Sequence, residues 1–124
     1  VKEISFAWTT PALLAGRKTC TRRGWKYGWA MGFMKGELVG ALDRQRRFGG
    51  KRIALIRIME RPYQESSAAT PESDWEAEGF DYLTEIGATV GKLTPKAIWT
   101  AWRVFPQELW VVRFKLVEVL EVAA

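Results

Sequence analysis

Ala15-Gly16-Arg17-Lys18-Thr19-Cys20-Thr21-Arg22-Arg23 gathers a lysine, two threonine hydroxyls, the only cysteine and three arginines directly behind a glycine. No other stretch of the chain puts so many reactive and cationic groups together. In a regular strand Lys18 and Thr21 would face opposite sides, whereas in a turn or helical twist residues three apart converge. A joint role for the two therefore predicts a turn here, and the rest of the chain reads as a small scaffold that presents it.

Upstream, Ile4, Phe6 and Trp8 alternate with smaller residues between Glu3 and Trp8, the period-two pattern of a strand with one buried face. Thr9-Thr10-Pro11 then starts a short helix that Gly16 stops. The same Thr-Pro signal recurs at Thr70-Pro71 and Thr94-Pro95, without any internal repeat around it. Downstream, Trp25 to Met34 is aromatic and broken by glycines, a short helix or compact loop that packs Trp25, Trp29 and Phe33 inward. Glu37 to Leu42 and Lys51 to Met59 read as two strands of a hairpin, joined by the cationic loop Asp43 to Gly50 with Phe48 at its tip.

Pro62 ends that second strand, and acidic residues concentrate after Thr70-Pro71: Glu72, Asp74, Glu76, Glu78, Asp81 and Glu85. Carboxylates near helix N-termini are stabilised by the backbone dipole, so most of these need no functional role. Glu76 and Glu78 are two apart and point in well-separated directions on a helix, so at most one of them faces a given site. A helix from Thr94-Pro95 buries Ile98, Trp99, Trp102 and Phe105 on one face. Leu109 to Val122 forms the last strand, whose apolar phase slips near Leu116-Val117 as a bulge or bend would make it. The fold class that results is α+β: a small, mixed but largely antiparallel β-barrel with short helices, over residues 1–124 as one domain.

Composition narrows the chemistry. With 124 residues, 48% hydrophobic content and seven tryptophans, the chain has the apolar surface for one core. Its net charge of +5 favours anionic partners such as a nucleotide or RNA. The absence of histidine removes His-dependent triads and the common zinc and non-haem iron sites. A single cysteine removes an intrachain disulfide and any CxxC pair. No cofactor or metal is expected. The apolar runs fall short of the roughly 18 residues needed to cross a bilayer, so no membrane partner is expected. The opening residues carry no signal-peptide pattern, and a cytoplasmic location is the corresponding expectation. The oligomeric state is not read from these features.

The pattern Gly16-x-Lys18-x-x-Thr21-x-Arg23 resembles the GxKxxTxR signature of the ASCH family, whose fold is a PUA-like β-barrel. The order of the remaining parts is similar over nearly the whole chain: Gly36-Glu37-Leu38 into a strand, the basic hairpin, Glu78-Gly79-Phe80 opening a helix, and the last strand from Leu109. The resemblance implies a cleft on the GxKxxTxR loop with RNA or a modified pyrimidine nucleoside as ligand. One branch of the family hydrolyses the amide of N4-acylated cytosine nucleosides of the N4-acetylcytidine type. Carried over, its lysine, threonine and glutamate are Lys18, Thr21 and Glu78 as catalytic residues, with Glu76 beside Glu78 as the other candidate. Other members are described as RNA binders or ribonucleases.

The chemistry can be judged on the residues alone. An alcohol keeps its proton at neutral pH, so Thr21 needs a base to attack a carbonyl, and Lys18 is the nearby candidate if it is neutral. Burial and the cations Arg17, Arg22 and Arg23 favour neutrality, and an adjacent Glu78 opposes it. Glu78 would orient the lysine or pass the proton on, or alternatively activate water itself. Arg22, Arg23, Arg44, Arg47, Phe48 and Lys51 are the candidate substrate-binding residues, because cations around an aromatic suit phosphate contacts and base stacking. Spacing alone is equally satisfied by a lysine and threonine in a structural turn. A second hypothesis is a module that holds single-stranded RNA without chemistry. A third is a ribonuclease in which Tyr27 or Lys51 assists proton transfer. Cys20 reads as a packing residue.

Overall fold

The computed structural model describes residues 1–120. Its strands are β1 (Glu3–Ser5), β2 (Cys20–Arg23), β3 (Leu38–Leu42), β4 (Arg52–Ile58), β5 (Tyr63–Ser66) and β6 (Glu108–Val119). The helices are α1 (Thr10–Leu14), α2 (Tyr27–Ala30), α3 (Asp74–Ala77), α4 (Phe80–Glu85) and α5 (Pro95–Val104). The fold is mixed α+β, with six strands in one curled sheet that forms a half-barrel. The strand order is β1-β3-β4-β6-β2, and β5 also pairs with β6. Among the described residues, β1 with β3 is the one parallel pair.

The last strand is the spine of this sheet. Trp110 to Arg113 pair with β2, Glu108 to Val111 pair with β5, and Phe114 to Val119 pair with β4. β6 pairs with β4 and β5 along one edge and with β2 along the other, and a bulge breaks its register against β4. Ile56 faces Leu116 while Leu55 faces Glu118, so Val117 is an extra residue in β6. That bulge lies where the apolar phase of the sequence slips. The barrel interior is filled by Ile4, Phe6, Phe33, Ile56, Val112 and Phe114. A second cluster centres on Phe80, whose ring meets Trp8, Trp75, Trp99 and Trp102 at centroid distances of 5.9, 5.5, 6.2 and 5.5 Å. It fastens α4 and α5 together.

Several boundaries differ from the sequence reading. The first strand stops at Ser5, and Ala7 to Thr9 form a 3-10 turn entered through Ala7 at φ 46°. Phe6 and Trp8 are aromatic neighbours of two different clusters rather than alternating strand residues. Thr70-Pro71 does not open a helix, because Pro71 instead makes a turn to Asp74 and α3 starts there. Trp29 is 44% exposed while Trp25 stacks on Phe33, so the aromatic segment packs inward only in part. Thr94 does cap α5, accepting the Ala97 N–H at 3.1 Å. Phe105 lies past the helix end and is 74% exposed, so it leaves the apolar face proposed for it. The last strand ends at Val119 with Leu120 already outside it, and the remainder of the expected continuation to Val122 lies outside the described residues.

Glu3 ties the first strand to the hairpin. Its carboxylate accepts from Arg46 at 3.1 and 2.8 Å and from Arg52 at 3.1 and 2.9 Å. The Arg46 hydrogen bonds, opposed by partial burial and reinforced by Arg52, hold its pKa down from 4.5 to about 2. The unfolded chain takes up this proton near 4.5, whereas the folded chain refuses it until about 2. The stabilisation is therefore complete above that range and is lost as pH falls through it. Urea-denaturation midpoints of wild type should fall across this window, and those of Glu3→Gln should fall less. Equal slopes for the two proteins would contradict the assignment.

Candidate active site

The focal stretch is held in place from both sides. After α1 the chain reverses at Ala15-Gly16, and the N–H groups of Arg17 and Lys18 both donate to the Ala12 carbonyl, at 2.9 and 3.2 Å. The Thr19 N–H then donates to Ala77, and the Thr19 carbonyl accepts from Phe114, at 2.8 and 2.9 Å. The bend thus precedes Lys18 rather than lying between it and Thr21, and Thr21 belongs to the regular strand β2. The two residues still meet in one cavity, because Lys18 sits in irregular backbone and escapes the strand's alternation.

The Lys18 side chain is withdrawn from solvent, at 1% exposure. Its Nζ donates to the Glu78 carbonyl and to Glu78 Oε1, both at 3.0 Å. Glu78 ends α3, and Gly79 follows in the left-handed region at φ 80°. A Cβ at Gly79 would come within 2.6 Å of the Ala12 Cβ and 3.2 Å of the Lys18 Cβ. Glycine is therefore required for α4 to begin against the lysine stem. Glu76 is exposed and lines a separate surface cleft with Arg17 and Asp81. Glu78 is the glutamate in the cavity.

Arg22 completes the hold on Glu78. Its Nη1 donates to Glu78 Oε2 at 2.8 Å, and its Nη2 donates to Glu65 at 3.0 Å and to Asp74. The guanidinium also lies 5.7 Å from the centroid of the Trp102 ring. Asp74 accepts further bonds from both terminal nitrogens of Arg113 at 2.8 Å, and Arg113 meets the Tyr63 hydroxyl at 3.0 Å. Burial would weaken the Arg22 cation, but Asp74 and Glu78 more than offset it, so it holds its proton more firmly than a free arginine. Arg22 therefore positions Glu78, with the donors of both its terminal nitrogens turned into the protein.

Arg23 lies on the other face of β2. Its Nε donates to the Thr21 hydroxyl at 2.9 Å and its Nη2 donates to the Ser5 carbonyl at 2.6 Å. Burial lowers its pKa to about 10. The Thr21 hydroxyl accepts from Arg23, so its own proton is free to be given away. No hydrogen bond joins Lys18 to Thr21. Burial, the largest influence, lowers the Lys18 pKa against the opposing charge and hydrogen bond of Glu78. The ion-paired groups, Lys18, Arg22 and Arg113 against Glu78, Asp74 and Glu65, balance with Lys18 charged, so withdrawal from water and not the charge count is what favours the neutral amine. Burial also pushes the Cys20 thiol up, which leaves it an inert packing residue.

The cavity has a volume of about 490 Å³. Lys18, Thr21, Arg22, Arg23 and Glu78 supply its polar inner end, and Phe6, Trp8, Phe80 and Trp102 supply aromatic walls. Arg44, Gln45 and Phe48 reach it from the β3–β4 loop and are exposed at its outer end. Arg47 and Lys51 lie on the same loop away from the cavity. Arg47 donates to Gln45 at 2.8 Å and stacks over Phe48 at 4.8 Å. Tyr27 is 70% exposed and packs near Trp110, also away from the cavity. Among the described residues, no group of three or more Asp, Glu or Cys is placed to hold a metal ion, and no helix is long and apolar enough to cross a membrane. The sequence reading did not find Asp74, Glu65, Arg113 or Tyr63. Asp74 showed only a charge in a region where helix-end acids are ordinary, and the strand residues Glu65, Arg113 and Tyr63 showed nothing beyond residue type.

No family model matches the sequence, and no curated protein matches it. In structure the chain is similar to protein EF3133 from Enterococcus faecalis V583, of family DUF984, with a TM-score of 0.56 and 19% sequence identity. The match covers 95% of this chain and 75% of that one. At this identity the likeness concerns the fold.

Breaking a buried ion pair leaves its partner's charge uncompensated, at a cost of about 3–5 kcal/mol. Arg22→Met strands both Glu78 and Asp74 in this way and should lose stability on that scale in urea denaturation. A loss below about 1 kcal/mol, the range of a surface pair, would show that Arg22 is not what neutralises the two acids.

Proposed function

We propose that the chain is an amide hydrolase for N4-acylated cytosine nucleosides, releasing cytidine and a carboxylic acid. The observation that carries this reading is a buried lysine, shifted toward neutrality, sharing a cavity with a threonine hydroxyl whose proton is available. The likeness of Gly16-x-Lys18-x-x-Thr21-x-Arg23 and Glu78-Gly79-Phe80 to the ASCH family supports the choice of substrate, as does a cavity of nucleoside size with aromatic walls.

In the proposed reaction, neutral Lys18 takes the Thr21 proton as Oγ1 attacks the acyl carbon, and the Arg23 N–H stabilises the oxygen as it gains charge. The C–N4 bond then breaks, and the Lys18 ammonium gives its proton to the departing amine. Water, deprotonated by Lys18, attacks the acyl-threonine ester; the acid leaves and Thr21 regains its proton. Glu78 orients Lys18 through the 3.0 Å contact. A direct attack by water with Glu78 as base is less well supported, because both carboxylate oxygens already accept from Lys18 and Arg22. The ribonuclease reading is weakened in turn, since Tyr27 and Lys51 are remote from the cavity. A non-catalytic RNA-binding module retains one observation in its favour, the basic loop with exposed Phe48.

Cytidine release from N4-acetylcytidine tests the proposal. Lys18→Ala and Thr21→Ala should each reduce kcat/KM by about 100-fold or more, the lower bound for loss of a positioned base or nucleophile. Retention of most activity in Lys18→Ala would sink the scheme. The wild-type rate should rise with pH along a limb centred below the ordinary lysine value of 10.5, because only the unprotonated amine is active and burial favours it. A rate that does not change with pH below that value would contradict this assignment of the base.

A further inference from the structure

The outer end of the cavity carries a cation that the reaction above does not use. Among the described residues, every arginine but one has a hydrogen-bond acceptor for its guanidinium. Arg17, Arg22, Arg46, Arg52, Arg103 and Arg113 meet carboxylates. Arg23, Arg57 and Arg61 meet backbone carbonyls, and Arg47 meets Gln45. The Arg44 side chain has no such partner, and it lines the cavity. Its nearest acid in sequence, Asp43, is turned instead to the backbone N–H of Lys51 at 2.8 Å.

The loop that carries Arg44 has a fixed shape. The Gly50 N–H donates to the Gln45 carbonyl at 3.1 Å, and a Cβ at Gly50 would lie 1.8 Å from the Arg44 carbonyl oxygen. Only glycine allows that approach, so the Arg44 backbone packs against position 50 with no room to spare. Arg46 anchors the loop to Glu3 with two hydrogen bonds and donates a third to the Gly50 carbonyl. Arg44 is thus a cation with free donors on a loop whose backbone path is fixed, and the adjoining Phe48 is 64% exposed. An arginine fork with an aromatic beside it suits a phosphate next to a sugar or base.

We propose that the ligand of this cavity is a phosphorylated nucleoside, with its phosphate held by Arg44 at the mouth while the base lies inside. The inference rests on the reading of the cavity as a nucleoside site. A free nucleotide and a nucleotide within an RNA strand present the same phosphate chemistry to Arg44, and the substrate series separates them.

The kcat/KM for N4-acetylcytidine, its 5′-monophosphate and a short single-stranded RNA containing one N4-acetylcytidine should be measured for wild type and Arg44→Ala. Wild type should prefer the phosphorylated substrates by about tenfold or more, the effect of one charge-assisted contact. In Arg44→Ala the ratio of phosphorylated to free nucleoside should approach one. A greater advantage for the monophosphate assigns the free nucleotide as source, and a greater advantage for the RNA assigns the strand. A wild-type ratio near one, or a ratio unchanged in Arg44→Ala, would overturn the proposal.

Calorimetric binding of cytidine and cytidine 5′-monophosphate to the same two proteins separates the phosphate site from the chemistry. If no substrate is hydrolysed but the monophosphate binds about tenfold more tightly and only with Arg44 present, the hydrolase reading fails and the phosphate site stands. Equal affinities for the two ligands would remove the phosphate site.

Discussion

A lysine ammonium taken out of water must either find an anion or give up its proton, and the surroundings of Lys18 are arranged around that constraint. Glu78 supplies the anion, yet Glu78 is itself buried and already held by Arg22, which is in turn shared with Asp74. Arg113 then balances Asp74 from β6. The charges form a ladder that runs from the segment before β2, through α3, to the spine strand of the sheet. Each rung needs the next, because a single unpaired charge at these depths is unfavourable by several kcal/mol. The position of Lys18 is therefore set by the fold at three separate elements.

The same ladder explains why so small a protein devotes aromatic rings to one end. Trp102 covers Arg22, and Phe80 with its tryptophan neighbours closes the region behind Glu78. These rings keep water from the ion pairs, which raises the strength of each contact and lowers the stability of any cation not fully matched. Burial depresses the pKa values of both Lys18 and Arg23, the latter lying over the Phe6 ring. The cavity thus combines apolar walls with an inner end where withdrawal from water works against the charge on Lys18. Such a combination suits proton transfer better than the simple retention of a charged ligand.

Local signals exposed much of this arrangement, and the parts they missed share a reason. The Thr94 cap, the β3–β4 hairpin and the bulge at Val117 each follow from residues within a few positions of one another. Glu78 was separable from Glu76 only as one of two directions on a helix, and the left-handed Gly79 and its contact with Lys18 made the choice. Arg22 was read as a ligand-binding cation because a sequence shows a charge but not its partners, and those lie 43 to 56 residues away. Asp74 looked like an ordinary helix-end acid for the same reason. Phe105 fitted the apolar period of α5, but the helix ends at Val104 and the ring turns outward. The first strand was overextended because Phe6 and Trp8 keep the alternation after the backbone has already turned at Ala7.

The chemistry proposed for the cavity requires above all that Lys18 lose its proton more readily than an ordinary lysine while remaining paired with Glu78. Nitrogen-15 NMR of the Lys18 side chain, followed through a pH titration of the folded protein, reads that property without any substrate. The structure predicts a Nζ resonance that titrates below 10.5, and a titration that moves when Glu78 is replaced by Gln. A Lys18 resonance that stays in the ammonium position up to or beyond that value would contradict the central claim.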